Sequence, residues 1–135
     1  MKLTQDTIAR INLFEKITSA GVKDCLEEEE GLTFVIQEGN VKKALGQDNS
    51  NIRRLEGIFK RKIKIIAFSN DPVKFINNLL YPVKADTIEL KDESIVITAK
   101  DSVIKGKIFG RSKTNLEKIK KLVKKYFNID EVKVI

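Results

Sequence analysis

The chain has 135 residues, of which 41% are hydrophobic and 33% charged, and its formal net charge is +7. It has no histidine and one cysteine, which excludes the usual zinc sites, histidine-dependent catalysis and an internal disulfide. No apolar run approaches the roughly 20 residues of a membrane span, and the first ten residues lack a secretion signal. We therefore expect a cytoplasmic protein with no catalytic residue, no cofactor, no metal site and no membrane contact.

The first half of the chain predicts one helix, two strands, two further helices around a glycine, and a last strand. Apolar residues recur at helical spacing near the N-terminus and alternate in the strands. In order, the predicted elements are a helix over 5–18, strands over 22–27 and 32–37 joined by an acidic turn, a short helix ending at Gly46, an amphipathic helix capped by Ser50 or Asn51, and a strand over 63–66.

The second half repeats the first. A shift of 64 residues places Gly46 on Gly110 and Asn51 on Asn115, and it aligns the apolar stripes of the two following helices. A shift of 69 aligns the strand over 63–66 with residues 132–135. The second copy opens with a helix over 72–80, capped by the pair Asp71-Pro72, and continues with strands over 84–90 and 94–99. We expect two domains, 1–70 and 71–135.

Two further patterns concern the helices after the glycines. Thr114 followed by Glu117 predicts a capping box, in which the hydroxyl and the carboxylate each accept a free backbone N–H. Residues 105–125 hold nine basic side chains and one acid, Glu117. Such clustering is typical of polyanion binders, but a solvated helix face explains it too, and we interpret Lys120 to Lys125 as such a face.

Two segments carry a resemblance to a known family: VKKALGQDNSNIRRLEGIFKRKIKII and IKGKIFGRSKTNLEKIKKLVKKYFNIDEVKVI. Both resemble the KH domain of the prokaryotic type, and the pair is similar to the tandem KH domains of NusA, especially the short archaeal NusA-like proteins. The resemblance implies an α+β fold of two tandem type II KH domains. Each would be a three-stranded sheet with helices packed on one face.

The resemblance also implies an RNA-binding site. In KH domains a GxxG loop clamps the backbone of about four nucleotides. The loops here keep the first glycine and lose the second, and Asp48 places a negative charge at the tip of the first loop. Arg111 and Lys113 make the second loop the better candidate. The expected RNA-binding residues are Lys105, Lys107, Gly110, Arg111, Ser112, Lys113 and Lys118, with Lys42, Lys43, Gly46, Gln47, Asn49, Arg53 and Arg54 in the first copy.

The predicted function is that of a non-catalytic RNA-binding factor resembling NusA, acting in transcription elongation and termination. Its partners would be single-stranded RNA, such as a nascent transcript, and by resemblance RNA polymerase; we expect a monomer. Alternatives are a binder of ribosomal or structured RNA, and a degenerate KH pair that serves as a protein-interaction scaffold. We expect the other conspicuous side chains, Cys25, Tyr81, Phe109 and Phe127, to be core residues.

Overall fold

The structure, a computed structural model, describes residues 5–135 and divides into two compact units, Met1–Ser69 and Asn70–Ile135. The first four residues of the predicted first domain lie outside the described residues. None of the described helices is long and apolar enough to cross a membrane.

The described part of the first unit contains three α-helices and a three-stranded sheet. Strand β1 is antiparallel to the central strand β2, and β3 is parallel to β2 on its other side. The elements in chain order are α1 (Gln5–Thr18), β1 (Val22–Glu27), β2 (Gly31–Ile36), α2 (Val41–Leu45), α3 (Ser50–Phe59) and β3 (Lys62–Ala67).

The core of the first unit lies between the sheet and its helices. Leu32, Phe34 and Ile36 alternate along β2, so they project from one face of the sheet and are fully buried. Phe14 of α1 stacks on Phe34 with ring centroids 4.3 Å apart. Leu55 of α3 closes the same cluster. Burying these large side chains contributes about 1.5–3 kcal/mol each and holds the helices on the sheet.

The second unit repeats this arrangement, with β4 antiparallel and β6 parallel to the central strand β5. Ile95 and Ile97 of β5 are fully buried, as are Phe75 of α4 and Ile119 of α6. The elements are α4 (Pro72–Leu80), β4 (Thr87–Lys91), β5 (Ser94–Thr98), α5 (Ser102–Phe109), α6 (Thr114–Tyr126) and β6 (Glu131–Val134).

The fold class predicted from the sequence is confirmed: the protein is α+β, with a three-stranded sheet and packed helices in each copy, an arrangement consistent with tandem KH domains. Helix α1 covers the predicted range, and Asp71 caps α4 by accepting from the Val73 amide at 3.0 Å. Strand β4 begins at Thr87 rather than 84. Residues 84–86 precede the strand, and there the Asp86 carboxylate accepts from the Lys100 amide at 2.7 Å.

Three local predictions are wrong. Neither Ser50 nor Asn51 caps α3, because the residue before the helix is Asn49, no side chain makes a cap hydrogen bond there, and the Asn51 amide donates to the Lys43 carbonyl instead. The Thr114 hydroxyl donates to the Arg111 carbonyl at 2.7 Å, so it does not accept the helix amide that a capping box requires. Tyr81 is 75% exposed and is not a core residue. The prediction for Cys25 is confirmed, because it is buried in β1, and this burial raises the pKa of its thiol to about 11.

Different contacts hold the turn of the first hairpin in the two units. In the first unit Arg61 donates to the Glu28 carbonyl and to the Glu27 carboxylate, both at 2.6 Å. The shift that aligns the last strands places Asp130 at the position of Arg61. The Asp130 amide donates to the Glu93 carbonyl at 2.7 Å, and its carboxylate lies beside that of Glu93. The contact at the first hairpin turn therefore pairs the opposite charges of Arg61 and Glu27, whereas the contact at the second brings together the like charges of Asp130 and Glu93.

Candidate nucleic-acid interface

The two glycine loops have almost the same backbone. Gly46 has φ 72° and ψ 176°, and Gly110 has φ 73° and ψ 176°. The last two residues of each loop are left-handed: Asp48 and Asn49 have φ of 54° and 60°, while Ser112 and Lys113 have 54° and 63°. Loops of different sequence therefore share one conformation, although neither has a second glycine.

Each loop glycine is required by both its dihedral angles and its surroundings. A φ near +70° with ψ near 180° is essentially restricted to glycine. A Cβ on Gly110 would lie 2.6 Å from the Asn115 Cβ and 2.9 Å from the Asn115 amide nitrogen. A Cβ on Gly46 would meet the Asn51 amide group at 2.8 Å and the Ser50 hydroxyl at 2.9 Å. The helix after the loop thus starts in direct contact with the glycine.

The glycines also end the helices before them, but not as ordinary caps. The Gly46 amide donates to the Lys42 carbonyl at 3.0 Å, and the Gly110 amide donates to the Gly106 carbonyl at 2.9 Å. An ordinary glycine cap is left-handed, with ψ near +47°. A ψ of 176° instead sends the chain outward in an extended direction. The glycine therefore starts a projecting loop and does not simply reverse the chain.

An asparagine in each copy joins the helix before the loop to the helix after it. The Asn51 side-chain amide donates to the Lys43 carbonyl at 3.0 Å. The Asn115 amide donates to the Ile108 carbonyl at 3.0 Å. These bonds satisfy carbonyls that the end of a helix leaves free. Sequence reasoning aligned the two asparagines but assigned them no such role, although their coincidence was the available signal.

The second copy brings most of its predicted site residues together around the loop. Gly110, Arg111, Ser112 and Lys113 form the loop, and the last three side chains are exposed. Lys105 and Lys107 lie on α5 just before it, whereas Lys118 lies on α6, about one turn after it. The loop is therefore surrounded by cations on both helices.

The first copy places its predicted residues similarly, with one important difference. Lys42 and Lys43 are exposed on α2, and Gln47, Asn49 and Arg54 are exposed around the loop. Arg53 donates to the Asp48 carbonyl at 2.6 Å, so part of its guanidinium holds the loop itself. The matching residue of the second copy is Glu117, which lies 3.9 Å from the Lys120 ammonium. Sequence reasoning treated Arg53 only as an RNA contact.

Other chemistry is not supported by the described part of the chain. No group of three or more acidic or cysteine side chains among residues 5–135 is arranged to hold a metal ion. The acidic turn residue Glu27 is engaged by Arg61 and Arg10, whose proximity lowers the pKa of its carboxyl. The side chains around the second loop are mainly cations and hydroxyls, which suit a phosphate backbone, whereas the first loop also carries the acid Asp48.

The fold and loops define a class: α+β proteins with two copies of a three-stranded unit in which a glycine loop joins two helices. No family model matches the chain. A curated relative from Methanocaldococcus jannaschii, named probable transcription termination protein NusA, is 33% identical over the whole chain and 75% of its own length.

Relatives with the same name share this similarity. That of Methanococcus vannielii is 28% identical over the whole chain and 80% of the relative, and that of Thermoplasma acidophilum is 26% identical over 96% of the chain and 92% of the relative. The chain belongs to this archaeal NusA family. The crystal structure of APE1850 matches 98% of the chain and 99% of its own length, with TM-score 0.72 and 23% identity, which supports the fold.

Proposed function

We propose that the protein is a non-catalytic RNA-binding factor of transcription elongation and termination, and that it binds single-stranded RNA mainly at the Gly110 loop. It would act in the cytoplasm as a monomer. The process comes from the family, whose members are named probable transcription termination proteins.

One observation carries the RNA-binding proposal: the second loop combines a projecting glycine backbone with cations. Arg111 and Lys113 are exposed in the loop, and Lys107 is exposed on the helix before it. Glycine allows the backbone to approach phosphates closely, and the start of α6 directs its positive dipole end toward the loop. The same loop in the first copy has Asp48 near its tip, which repels phosphate. Binding should therefore be stronger at the second loop.

Fluorescence anisotropy with labelled single-stranded RNA across a salt series tests this proposal. The logarithm of the affinity should fall linearly with the logarithm of the salt concentration, with a slope of about −0.7 for each phosphate contacted. Arg111→Asp with Lys113→Asp should weaken binding strongly, whereas Asp48→Lys should strengthen it.

A matched charge reversal, Lys84→Asp with Lys91→Asp, controls for the change in net charge. Both lysines are exposed and lie outside the loop. If the loop and control variants bind RNA equally well, the assignment of the site to Gly110 is wrong. If the wild-type protein binds no RNA even at low salt, the RNA-binding proposal fails.

A second candidate function is a protein-interaction scaffold in which the loops no longer bind RNA. The bond from Arg53 to the Asp48 carbonyl favours it for the first unit, because the loop there is held by the protein's own cation. Affinity capture of RNA polymerase distinguishes the RNA-binding function from the scaffold function. It compares the wild-type protein with the variant that carries Arg111→Asp and Lys113→Asp. Capture that survives the loop substitutions and nuclease treatment would indicate direct protein contact, whereas capture lost in both would indicate an RNA bridge.

A further inference from the structure

The outer face of α6 carries a row of lysines beyond the loop. Helix α6 contains five lysines and one acid, Glu117. Its buried stripe consists of Leu116, Ile119, Leu122 and Val123. At 100° per residue, Lys121 and Lys124 lie opposite that stripe. Both are exposed, as is Lys125, whose ammonium lies 5.2 Å from the Tyr126 ring centroid. We name Lys120, Lys121, Lys124 and Lys125 the α6 lysine face.

The first copy builds the same scaffold without lysines at two of the four positions of this face, whereas Lys124 and Lys125 align with Lys60 and Arg61. The shift of 64 aligns Lys120 with Glu56 and Lys121 with Gly57. Glu56 there accepts from the Ile63 amide at 3.2 Å, and α3 ends three residues earlier than its counterpart. The same fold is thus built with an acid and a glycine where the second copy has two lysines. A purely structural requirement for the lysines is therefore excluded at these two positions.

The helix itself explains only part of the face. Lysines in the last turn, such as Lys124 and Lys125, favour the negative end of the helix dipole. Lys121 precedes that turn. Its one favourable partner on the helix is Glu117, four residues before it, whereas Lys118, Lys124 and Lys125 lie three or four residues away and disfavour an isolated helix. A solvated helix face, which is the interpretation from the sequence alone, gives no reason for such a row of like charges, whereas a ligand of opposite charge does.

We infer that the α6 lysine face is a second RNA contact, which takes the phosphates of the strand as it leaves the Gly110 loop. This inference rests on the proposed function. The helix rises about 1.5 Å per residue, so Lys121 and Lys124 lie roughly 12 and 16 Å along the axis from Lys113. The loop clamps about four nucleotides, so a strand of about that length held at the loop leaves no nucleotides to lie along α6, whereas a longer strand does.

The test compares RNA of two lengths in the intact protein. Labelled oligouridylates of about 5 and about 15 nucleotides report the loop alone and the loop plus the face. Lys121→Gln with Lys124→Gln should leave the short RNA bound as tightly as in the wild type. It should weaken the long RNA on the order of tenfold at low salt and reduce the salt slope by about 1.4.

Lys84→Gln with Lys91→Gln removes the same charge elsewhere in the unit, and it should change neither affinity. Circular dichroism of each variant verifies that the helices remain, since glutamine and lysine have similar helix propensities. Equal weakening of both lengths, or unchanged binding of the long RNA, would overturn the inference while the loop site stands. If the wild type binds neither length, the proposed function fails and this inference fails with it.

Discussion

The loops at Gly46 and Gly110 have the same backbone but opposite character. Their φ and ψ angles agree within a few degrees, yet one has Asp48 at the position where the other has Ser112. Asparagines at matching positions join the helix after each loop to the helix before it. The comparison teaches that the backbone of the loop is set by the glycine and the packing of two helices. The charge of the loop varies independently of that scaffold.

The largest expected effect is the loss of stability when either loop glycine is replaced. Gly110→Ala should lower the free energy of unfolding by about 2–4 kcal/mol, because it combines a forbidden backbone region with a clash against the backbone of Asn115. Gly46→Ala should cost less, about 1–2 kcal/mol, because the atoms it meets belong to the ends of the Asn51 and Ser50 side chains, which can move. Urea unfolding of both variants measures the difference.

Gly106→Ala is the matched control for these substitutions. Gly106 lies within α5, and a Cβ added there would meet no atom within 4 Å. Alanine should stabilise the helix by about 0.5–1 kcal/mol. Equal losses at Gly46 and Gly110 would contradict the distinction between backbone and side-chain neighbours.

Giving the first loop the sequence of the second tests whether loop charge alone accounts for the difference in RNA binding. The triple substitution Gln47→Arg, Asp48→Ser and Asn49→Lys gives the first loop the residues of the second. Since both loops already share a backbone, the structure should be retained while RNA affinity rises and the salt slope steepens by about 1.4, as for two added phosphate contacts. Anisotropy across the salt series measures this. An unchanged slope would mean that the first loop is not accessible to RNA.

A smaller effect concerns the brace within the first loop. Arg53→Gln removes the bond to the Asp48 carbonyl and should reduce stability by about 0.5–1.5 kcal/mol. Arg54→Gln, its exposed neighbour on the same helix, should change stability by less. Thermal unfolding of the pair measures the difference; a loss of equal size in both would show that the Arg53 bond contributes nothing specific.

The smallest expected effect is a difference in the pH dependence of stability between the first hairpin turns of the two units. The Arg61 hydrogen bond lowers the pKa of Glu27, so this stabilising contribution is present above the ordinary value of 4.5 and is lost as pH falls through the lowered pKa. The Asp130 carboxyl raises the pKa of Glu93, so its contribution is present below 4.5 and is lost as pH rises through the raised pKa. Acidification should therefore favour the second unit relative to the first.

Carboxyl titration by nuclear magnetic resonance tests these directions. In Arg61→Gln the pKa of Glu27 should rise toward 4.5, and in Asp130→Asn the pKa of Glu93 should fall toward it. A pKa that does not move in either variant would show that the named neighbour is not the cause of the shift.

The sequence predicts most of the fold because local periodicity and the internal repeat both encode it. Helix α1 and strand β1 have the predicted bounds, since their apolar spacing is regular. The start of β4 is not predicted from local periodicity, because the bond from the Lys100 amide to the Asp86 carboxylate next to it joins residues distant in sequence. The same limit applies to the capping of α6, where the loop geometry decides what Thr114 can reach.

The candidate site was only partly predictable. The glycines, the loop charges and the aligned asparagines are visible in the sequence, and the assignment of RNA-binding residues stays a prediction. The positive φ of Asp48 and Ser112 was not foreseen, because neither residue type requires it. Packing of the helices on both sides imposes that conformation. The internal role of Arg53 likewise depends on a contact that exists only once the loop has folded.

Cys25 makes the stability of the first unit measurable separately from that of the second. It is the only cysteine of the chain, it lies in β1 at 3% exposure, and its pKa of about 11 keeps the thiol protonated at neutral pH. A thiol reagent can therefore react at a substantial rate only when the first unit opens. The rate of labelling reports the opening equilibrium of that unit alone, in the unmodified protein, and ligands that bind only the second unit should leave it unchanged unless the units are coupled.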